Sequence, residues 1–338
     1  MHPFLITGGA ACGVTISGHG MNSFSERLAR LMKLIAPERY RNFQCITGAC
    51  RHSCCIGWEI DIDAESLQRF QNVPGALGKR LRENIQQTQD GACFRLQGAE
   101  ERCPFLNANG LCDLILSLGE DALCQICTDH PRFRNFFSDR TEIGLGLCCE
   151  AAGRLLLGDE APMRLVVLED DGADEPANSE EQELLHLRSE LFALVQNRAL
   201  PVEQRIEKLL PAASIDWADW SCFLLTLERL DDRWADLLKL LPNPPAQPLD
   251  SALEIPMEQL MCYLLYRHLP GALDDGDFGG RIRFAALIWQ LIARLCRQSG
   301  VSGLEDLVEL ARLYSSEIEY SDENTCAILD HIAQAYEG

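Results

Sequence analysis

Eleven of the sixteen cysteines lie between Cys45 and Cys149. The run opens with Cys45, Cys50, Cys54 and Cys55 and continues through Cys103, Cys112, Cys124, Cys127 and Cys148. No Lys or Arg precedes Arg27, so the start lacks the basic residues of a secretory signal. Thiols crowded in a chain without such a signal suit metal ligation better than disulfides. Soft thiolates select zinc, copper(I) or iron–sulfur clusters, and the chain reads first as a metalloprotein.

The spacings refine this. Cys50-x3-Cys54 puts two thiols one helical turn apart or on a tight loop, with Gly48 and Gly57 supplying backbone freedom. The adjacent Cys54 and Cys55 more naturally serve different metals, or one ligates while the other packs. Cys124-x2-Cys127 has the spacing of zinc knuckles and ferredoxin-type loops. Cys103-Pro104 and Gly110-Leu111-Cys112 bracket a turn with Asn107 and Asn109 that brings both thiols back together. Zinc and iron–sulfur remain equally open on spacing alone. His52 and His130 fall inside the clusters, but a lone loop histidine is more often solvated or hydrogen-bonded. Cys222, Cys262, Cys296 and Cys326 sit on apolar helical faces and read as small buried hydrophobes, as do Cys12 and Cys93, which lack partner spacing.

The elements that must position these thiols divide the 338-residue chain unevenly. Residues 1–36 read as a glycine-rich, poorly ordered extension, within which Met21 is a second plausible start, followed by a helix from about Ser25 to Pro37. Residues 37–160 form a cysteine-rich metal-binding region with little strand, apart from the alternation Glu59-Ile60-Asp61-Ile62-Asp63 and an interrupted helix over Leu67–Gln87. Residues 161–182 contain the acidic, breaker-rich stretch from Glu169 to Ser179 and read as a linker. Residues 183–338 carry helical apolar stripes over Leu184–Val195, Trp217–Leu241, Met257–Leu269, Ile282–Cys296 and Leu304–Ile318, with Ser302-x2-Glu305 as a capping box. The expected fold class is therefore mainly α: a cysteine-rich region followed by an all-α helical bundle.

Charge narrows the partners. Residues 1–158 carry 16 Lys+Arg against 17 Asp+Glu, and the remainder 14 against 34. So acidic a second half excludes nucleic acid and anionic membrane as main partners; it would attract a lysine-bearing protein surface, although a solvated face is the simpler reading. No apolar run is long enough to span a bilayer, and a reducing cytoplasmic location keeps the thiols available. The sequence is silent on oligomeric state. A Cys-x3-Cys-x2-Cys loop for radical chemistry would need cysteine where Gly57 stands, and neither a Walker loop nor a Gly-x-Gly-x-x-Gly fingerprint is present.

The residues Tyr40-Arg-Asn-Phe-Gln-Cys45-x4-Cys50-x3-Cys54-Cys55-Ile-Gly-Trp58, with Asp61 and Asp63, resemble the opening of the flagellin lysine N-methylase family, itself related to the zinc- or iron-chelating CxxCxxCC proteins. The resemblance continues through Cys103-Pro104-Phe-Leu, Gly110-Leu-Cys112, Leu123-Cys124-x2-Cys127-Thr-Asp-His-Pro131-Arg132 and Cys148 with Glu150 and Ala151. The position after that last cysteine is usually proline in the family and is Cys149 here, which favours Cys148 as the ligand. Similar residues recur at Leu187-Arg188, Gln196-Asn-Arg198, Glu203-x-Arg205, Tyr266-Arg267-His268 and Glu317-x-Glu319-Tyr-Ser321-x2-Asn324. The likeness covers roughly residues 37 to 335.

The resemblance implies an S-adenosylmethionine-dependent lysine N-methyltransferase acting on flagellin and carrying an iron–sulfur (4Fe-4S) cluster, with zinc as the alternative metal. A lysine amine with pKa near ~10.4 must lose its proton before attacking a sulfonium. Glu319, Asp61 and Asp63 are available carboxylates, and Arg267 and Asn324, polar in apolar helical surroundings, are the better pocket candidates. Arg267, Glu319 and Asn324 are thus the expected substrate-binding residues, and no general base is identifiable. The competing reading is a structural zinc or iron–sulfur module in a protein-interaction or redox-sensing role.

Overall fold

The computed structural model describes residues 33–88, 91–172, 176–245 and 247–336. In chain order its strands are β1 (Lys33–Pro37), β2 (Asp61–Ile62), β3 (Ile85–Gln87), β4 (Ala92–Phe94), β5 (Arg132–Phe136), β6 (Arg140–Leu145) and β7 (Leu165–Glu169). The first helices are α1 (Ala64–Gln71), α2 (Gly75–Asn84), α3 (Asp113–Leu118), α4 (Gln125–Asp129), α5 (Glu150–Leu157), α6 (Ser179–Val195) and α7 (Val202–Ile206). They are followed by α8 (Trp217–Leu224), α9 (Asp232–Leu238), α10 (Glu254–His268), α11 (Ala272–Asp275), α12 (Phe278–Ser299), α13 (Leu304–Tyr314) and α14 (Asp322–Tyr336). The protein is mainly α and divides into two compact units.

The first unit holds residues 44–132 and 149–151. Its sheet has the order β2-β4-β3, antiparallel throughout, with Asp61 opposite Cys93 and Ile85 opposite Phe94. Helices α1 and α2 break at Pro74-Gly75, where Gly75 takes φ +72°. The core collects Phe70, Leu81, Phe94, Phe105 and Leu114, and Cys103 and Cys124 are buried within it. Phe94 lies 5.0 Å from Phe105 and 5.8 Å from Phe70 between ring centroids, spacings at which aromatic pairs attract.

The second unit holds residues 33–43, 133–148 and 152–336. Its sheet has the order β5-β6-β1-β7, with β1 parallel to β6 and antiparallel to β7. Here the helix expected from Ser25 to Pro37 is corrected: Lys33–Pro37 is a strand, and residues 25–32 lie outside the described part, as does the expected extension over residues 1–22. A residue preceding proline is disfavoured in the α region, and Ala36 before Pro37 is accordingly extended and buried between two neighbouring strands. The stretch read as a linker likewise contributes β7 to this sheet.

The helices of this unit follow the apolar stripes. α10 is buried along almost its whole length and packs against α12, where Trp289 Nε1 donates to Met257 O at 2.8 Å. Trp217–Leu241 is two helices separated at Leu230-Asp231. The expected capping box at Ser302-Glu305 is absent, because Gly303 is the N-cap and no side chain caps it. Asn178 and Glu181 form a capping box at the start of α6 instead. Helix α13 runs into a π-helical turn, Ser315–Glu319. Among the described residues, no helix is long and apolar enough to cross a membrane.

Candidate functional site

In the first unit, three hydrogen-bonded ties bring the thiols inward. Cys103 N donates to Cys55 O at 2.8 Å, beside the isolated bridge Ile56–Arg102, so the two cysteines become neighbours. The Asn107 side chain accepts from Asn109 N and Leu111 N at 2.9 and 3.1 Å, folding Cys112 back toward Cys103. Asp63 accepts from Ser66 N and Gln125 N, both at 2.9 Å, tying the starts of α1 and α4 together and seating Cys124. Burial raises the Asp63 carboxyl, but those N–H donors outweigh it and leave its pKa below the ordinary value. Asp63 is thus a structural tie, and Asp61 is exposed on β2.

Glycine closes the arrangement. Gly110 has φ +71° and lies against Gly48, where a Cβ on Gly48 would stand 2.7 Å from Asn109 O. Gly48 therefore serves close backbone approach, and the loop before Cys50 rests on the loop before Cys112.

Cys55 is the hub of the sulfur group. It accepts from Cys103 and Cys54, and these contacts, against the effect of burial, lower its pKa to about 3. Cys54 rises through its bond to Cys55 and burial, and Cys103 rises for the same two reasons. Cys127 rises through Cys124 and burial, and it feels Cys55. Burial raises Cys112, which also feels Cys55 and Cys127; Cys45 reaches Cys54. Burial pushes the His130 imidazole down to about 4, against the opposing pull of Cys55.

Seven of the nine expected ligands thus each act on at least one other: Cys54, Cys55, Cys103, Cys112 and Cys127 are linked through Cys55, Cys45 joins through Cys54 and Cys124 through Cys127. Their soft donor chemistry suits a thiolate-bound metal. Yet among the described residues no group of three or more His, Cys, Asp or Glu side chains stands ready to hold a metal ion.

The two remaining expected ligands lie elsewhere. Cys50 sits with Cys149 and Glu150; burial and the Glu150 carboxylate raise its thiol to about 12. Glu150 is 1% exposed and accepts from Arg51 N at 2.6 Å and Arg51 Nε at 3.0 Å. Cys148 belongs to the second unit, where it interacts with Tyr320 and Arg267. The structure therefore puts Cys149, rather than Cys148, beside Cys50.

The second unit holds a buried polar cluster. Glu319, the last residue of the π-turn, accepts from Tyr263 Oη at 2.7 Å and from Ser315, and lies 2.8 Å from His268 Nε2. Arg267 donates to Tyr263 Oη at 3.3 Å and to Glu319 O at 3.2 Å, with its guanidinium over the Phe133 and Tyr320 rings. Such cation–π contacts favour the charged guanidinium. The buried Tyr314 hydroxyl faces the same charges without a well-formed hydrogen bond. Arg267 and Glu319, both expected from the sequence, are brought together. Asn324 is not: its amide donates to Glu228 O and Glu317 O at 3.0 and 2.7 Å and acts as a brace.

Tyr263 and Ser315 escaped sequence reasoning, and His268 was marked only as part of the Tyr266-Arg267-His268 motif, with no role in a site. Their signal was faint but present: Tyr263 and Arg267, like Ser315 and Glu319, are four residues apart, the spacing that shares a helical face. Other family-like residues are structural. Arg188 pairs bidentately with Glu142, with both distances 2.6 Å. Arg198 and Arg205 converge on the buried Glu258, and Glu203 pairs with Arg297.

No protein-family profile matches the chain, and no solved structure does. Among curated proteins, the chain is 25% identical over 159 residues to the lysine-N-methylase of Salmonella choleraesuis (strain SC-B67), and 24% identical over 159 residues to that of Salmonella typhimurium. In both cases the match covers 45% of this chain and 40% of the relative. The flagellar biosynthetic protein FliU of Salmonella muenchen is 26% identical over 134 residues, covering 38% of this chain and 79% of the relative. The chain thus spans about two fifths of the lysine-N-methylases it matches, and it is distantly related to them over that stretch.

Proposed function

We propose that this protein is an S-adenosylmethionine-dependent lysine N-methyltransferase of flagellin whose first unit holds a thiolate-ligated iron–sulfur cluster, with zinc as the alternative metal. One observation supports it most: thiols from four separate loops gather around Cys55 in a chain distantly related to proteins named lysine-N-methylase. Cys54 or Cys55, Cys103, Cys112, Cys124 and Cys127 would hold the metal. When bound, an iron–sulfur cluster would supply one-electron transfer capacity, and zinc a redox-silent structural crosslink.

The chain's own residues divide the remaining work. Glu319 is ionised and already engaged by Tyr263, Ser315 and His268, so it is a poor proton acceptor and acts by positioning. It fixes Tyr263, which in turn fixes Arg267. Arg267 stays charged and is the residue of this cluster best suited to orient an anionic or carbonyl group of a substrate.

The test uses oxygen-free protein, S-adenosylmethionine and purified flagellin. Methyl-sized mass increments on flagellin lysines are expected; their absence with metal-replete protein refutes the activity. Burial of Cys103 and Cys124 in the core favours a second reading, a metal that staples the first unit in an interaction or redox-sensing module. That reading predicts partner binding without methyl transfer.

A further inference from the structure

A shallow pocket, open to solvent and about 300 Å³ to its mouth, lies where the ends of β1 and α5 meet α10. Every residue lining it belongs to the second unit. Gln259 of α10, only 2% exposed, forms its buried polar wall. The Gln259 amide nitrogen donates to Asp159 O at 2.9 Å and to Ala161 O at 2.6 Å, which fixes the orientation of the amide. Its Oε1 then accepts from no described residue, and a buried acceptor left unmet calls for a donor. Two opposite charges share the same space. Glu38 N donates to Arg164 O at 2.9 Å, one step beyond the Pro37–Leu165 pair, which makes the two side chains cross-strand neighbours. Both line the pocket, yet no ion pair joins them among the described residues. The other charged groups of the pocket satisfy each other: Arg39 grips Asp159 bidentately at 2.7 and 2.8 Å, and Glu38 adds only a weaker pull on Arg39. Arg198, which also acts on Asp159, is held by Glu258 and Glu160 O.

We propose that this pocket binds the zwitterionic end of an α-amino acid with an apolar side chain: its carboxylate on Arg164, its ammonium on Glu38 and Gln259 Oε1, and its side chain against Leu156, Met163 and Pro162. Charge selects the occupant. A simple anion would gain Arg164 but meet Glu38, and a simple cation the reverse. An α-amino acid carries both charges on one carbon and answers both. Its ammonium also supplies the donor that Gln259 Oε1 lacks, in a charge-assisted hydrogen bond stronger than one between neutral groups. A few convergent polar groups beside apolar walls are the usual make-up of a small-molecule site. Two sources share this chemistry, a free amino acid and the methionyl end of S-adenosylmethionine. Binding of a free amino acid is independent of methyl transfer, and only the S-adenosylmethionine arm rests on the function proposed above.

Calorimetric titration of the full-length protein tests this. The probes are L-methionine, the amine left by removing its carboxylate, the acid left by removing its amino group, and S-adenosylmethionine. L-Methionine should bind, and each truncated analogue about tenfold more weakly, because hydrogen bonds to charged groups carry that much. Arg164→Gln should weaken L-methionine about tenfold and leave the amine unchanged; Glu38→Gln should weaken L-methionine similarly and leave the acid unchanged. Both residues are exposed, so neither variant should move the unfolding midpoint. Tighter binding of S-adenosylmethionine than of L-methionine, lost in Arg164→Gln, assigns the pocket to the methyl donor. Binding of S-adenosylmethionine that ignores Arg164→Gln, with L-methionine still sensitive, assigns it to a free amino acid. Methyl transfer to flagellin is scored separately, so either can fail alone. Absence of binding by both L-methionine and S-adenosylmethionine, truncated analogues that bind as well as L-methionine, or affinities indifferent to both substitutions would overturn the assignment.

Discussion

The Tyr263 hydroxyl donates to Glu319 at 2.7 Å and accepts from Arg267 at 3.3 Å, so one phenol bridges a buried anion and the cation that balances it. All three side chains come from two elements, α10 and the π-turn after α13. A π-turn changes which residues face a neighbour and is common at functional sites; here Ser315 at its start donates to Glu319 at its end.

Removing the anion alone should be costly. Glu319→Gln leaves Arg267 buried with its charge uncompensated, and breaking a buried pair this way costs about 3–5 kcal/mol. Tyr263→Phe deletes one link and should cost about 1–2 kcal/mol. Urea denaturation measures both; equal costs would show that the charge balance is not what matters.

Acid should weaken the second unit in two stages. His268 sits below 6.5 because burial disfavours its imidazolium, so the unfolded chain takes up that proton more readily and stability declines as pH drops below this value. Burial alone would raise Glu319, but Arg267, His268 and Ser315 hold it down to about 2. Its contribution is therefore fully present above 4.5 and is lost as pH falls toward about 2. Glu319→Gln should erase the lower stage of an unfolding titration; a lower stage that survives unchanged would contradict the assignment.

The cysteines should separate by metal content. Cys55→Ser and Cys124→Ser should deplete metal from oxygen-free preparations, as measured by elemental analysis. Cys50→Ser, whose thiol faces Glu150 and Cys149, and Cys262→Ser, buried in α10, should retain it. Retention in Cys55→Ser would remove the hub from the proposal. Chelation of the metal should lower the midpoint of thermal unfolding, because a metal that binds only the folded chain stabilises it.

Gly144 offers a steric test. A Cβ there would fall 2.2 Å from Phe133 Cζ, with two more ring atoms within 3.0 Å. Gly144→Ala should displace the ring under Arg267 and cost about 1–3 kcal/mol, the usual range for overpacking. Tryptophan fluorescence during denaturation reads that loss, and a variant as stable as the parent would show that Phe133 moves freely.

Sequence alone settled which residue types carry the chemistry and where the longer helices run. Apolar side chains at helical spacing mark α6, α10, α12 and α13, because burying one face is a local, periodic demand. The thiols were legible for the same reason in reverse: their crowding has no packing explanation. Pairing was not legible. That Cys55 meets Cys103, that Cys50 meets Glu150 and Cys149, and that Lys33–Pro37 enters a sheet all depend on partners dozens of residues away. Such contacts are chosen by the packing of whole elements. Likewise, only the turn after α13 decided that Glu319 joins Arg267 while Asn324 braces the backbone, since helical periodicity does not foretell where a helix changes its winding.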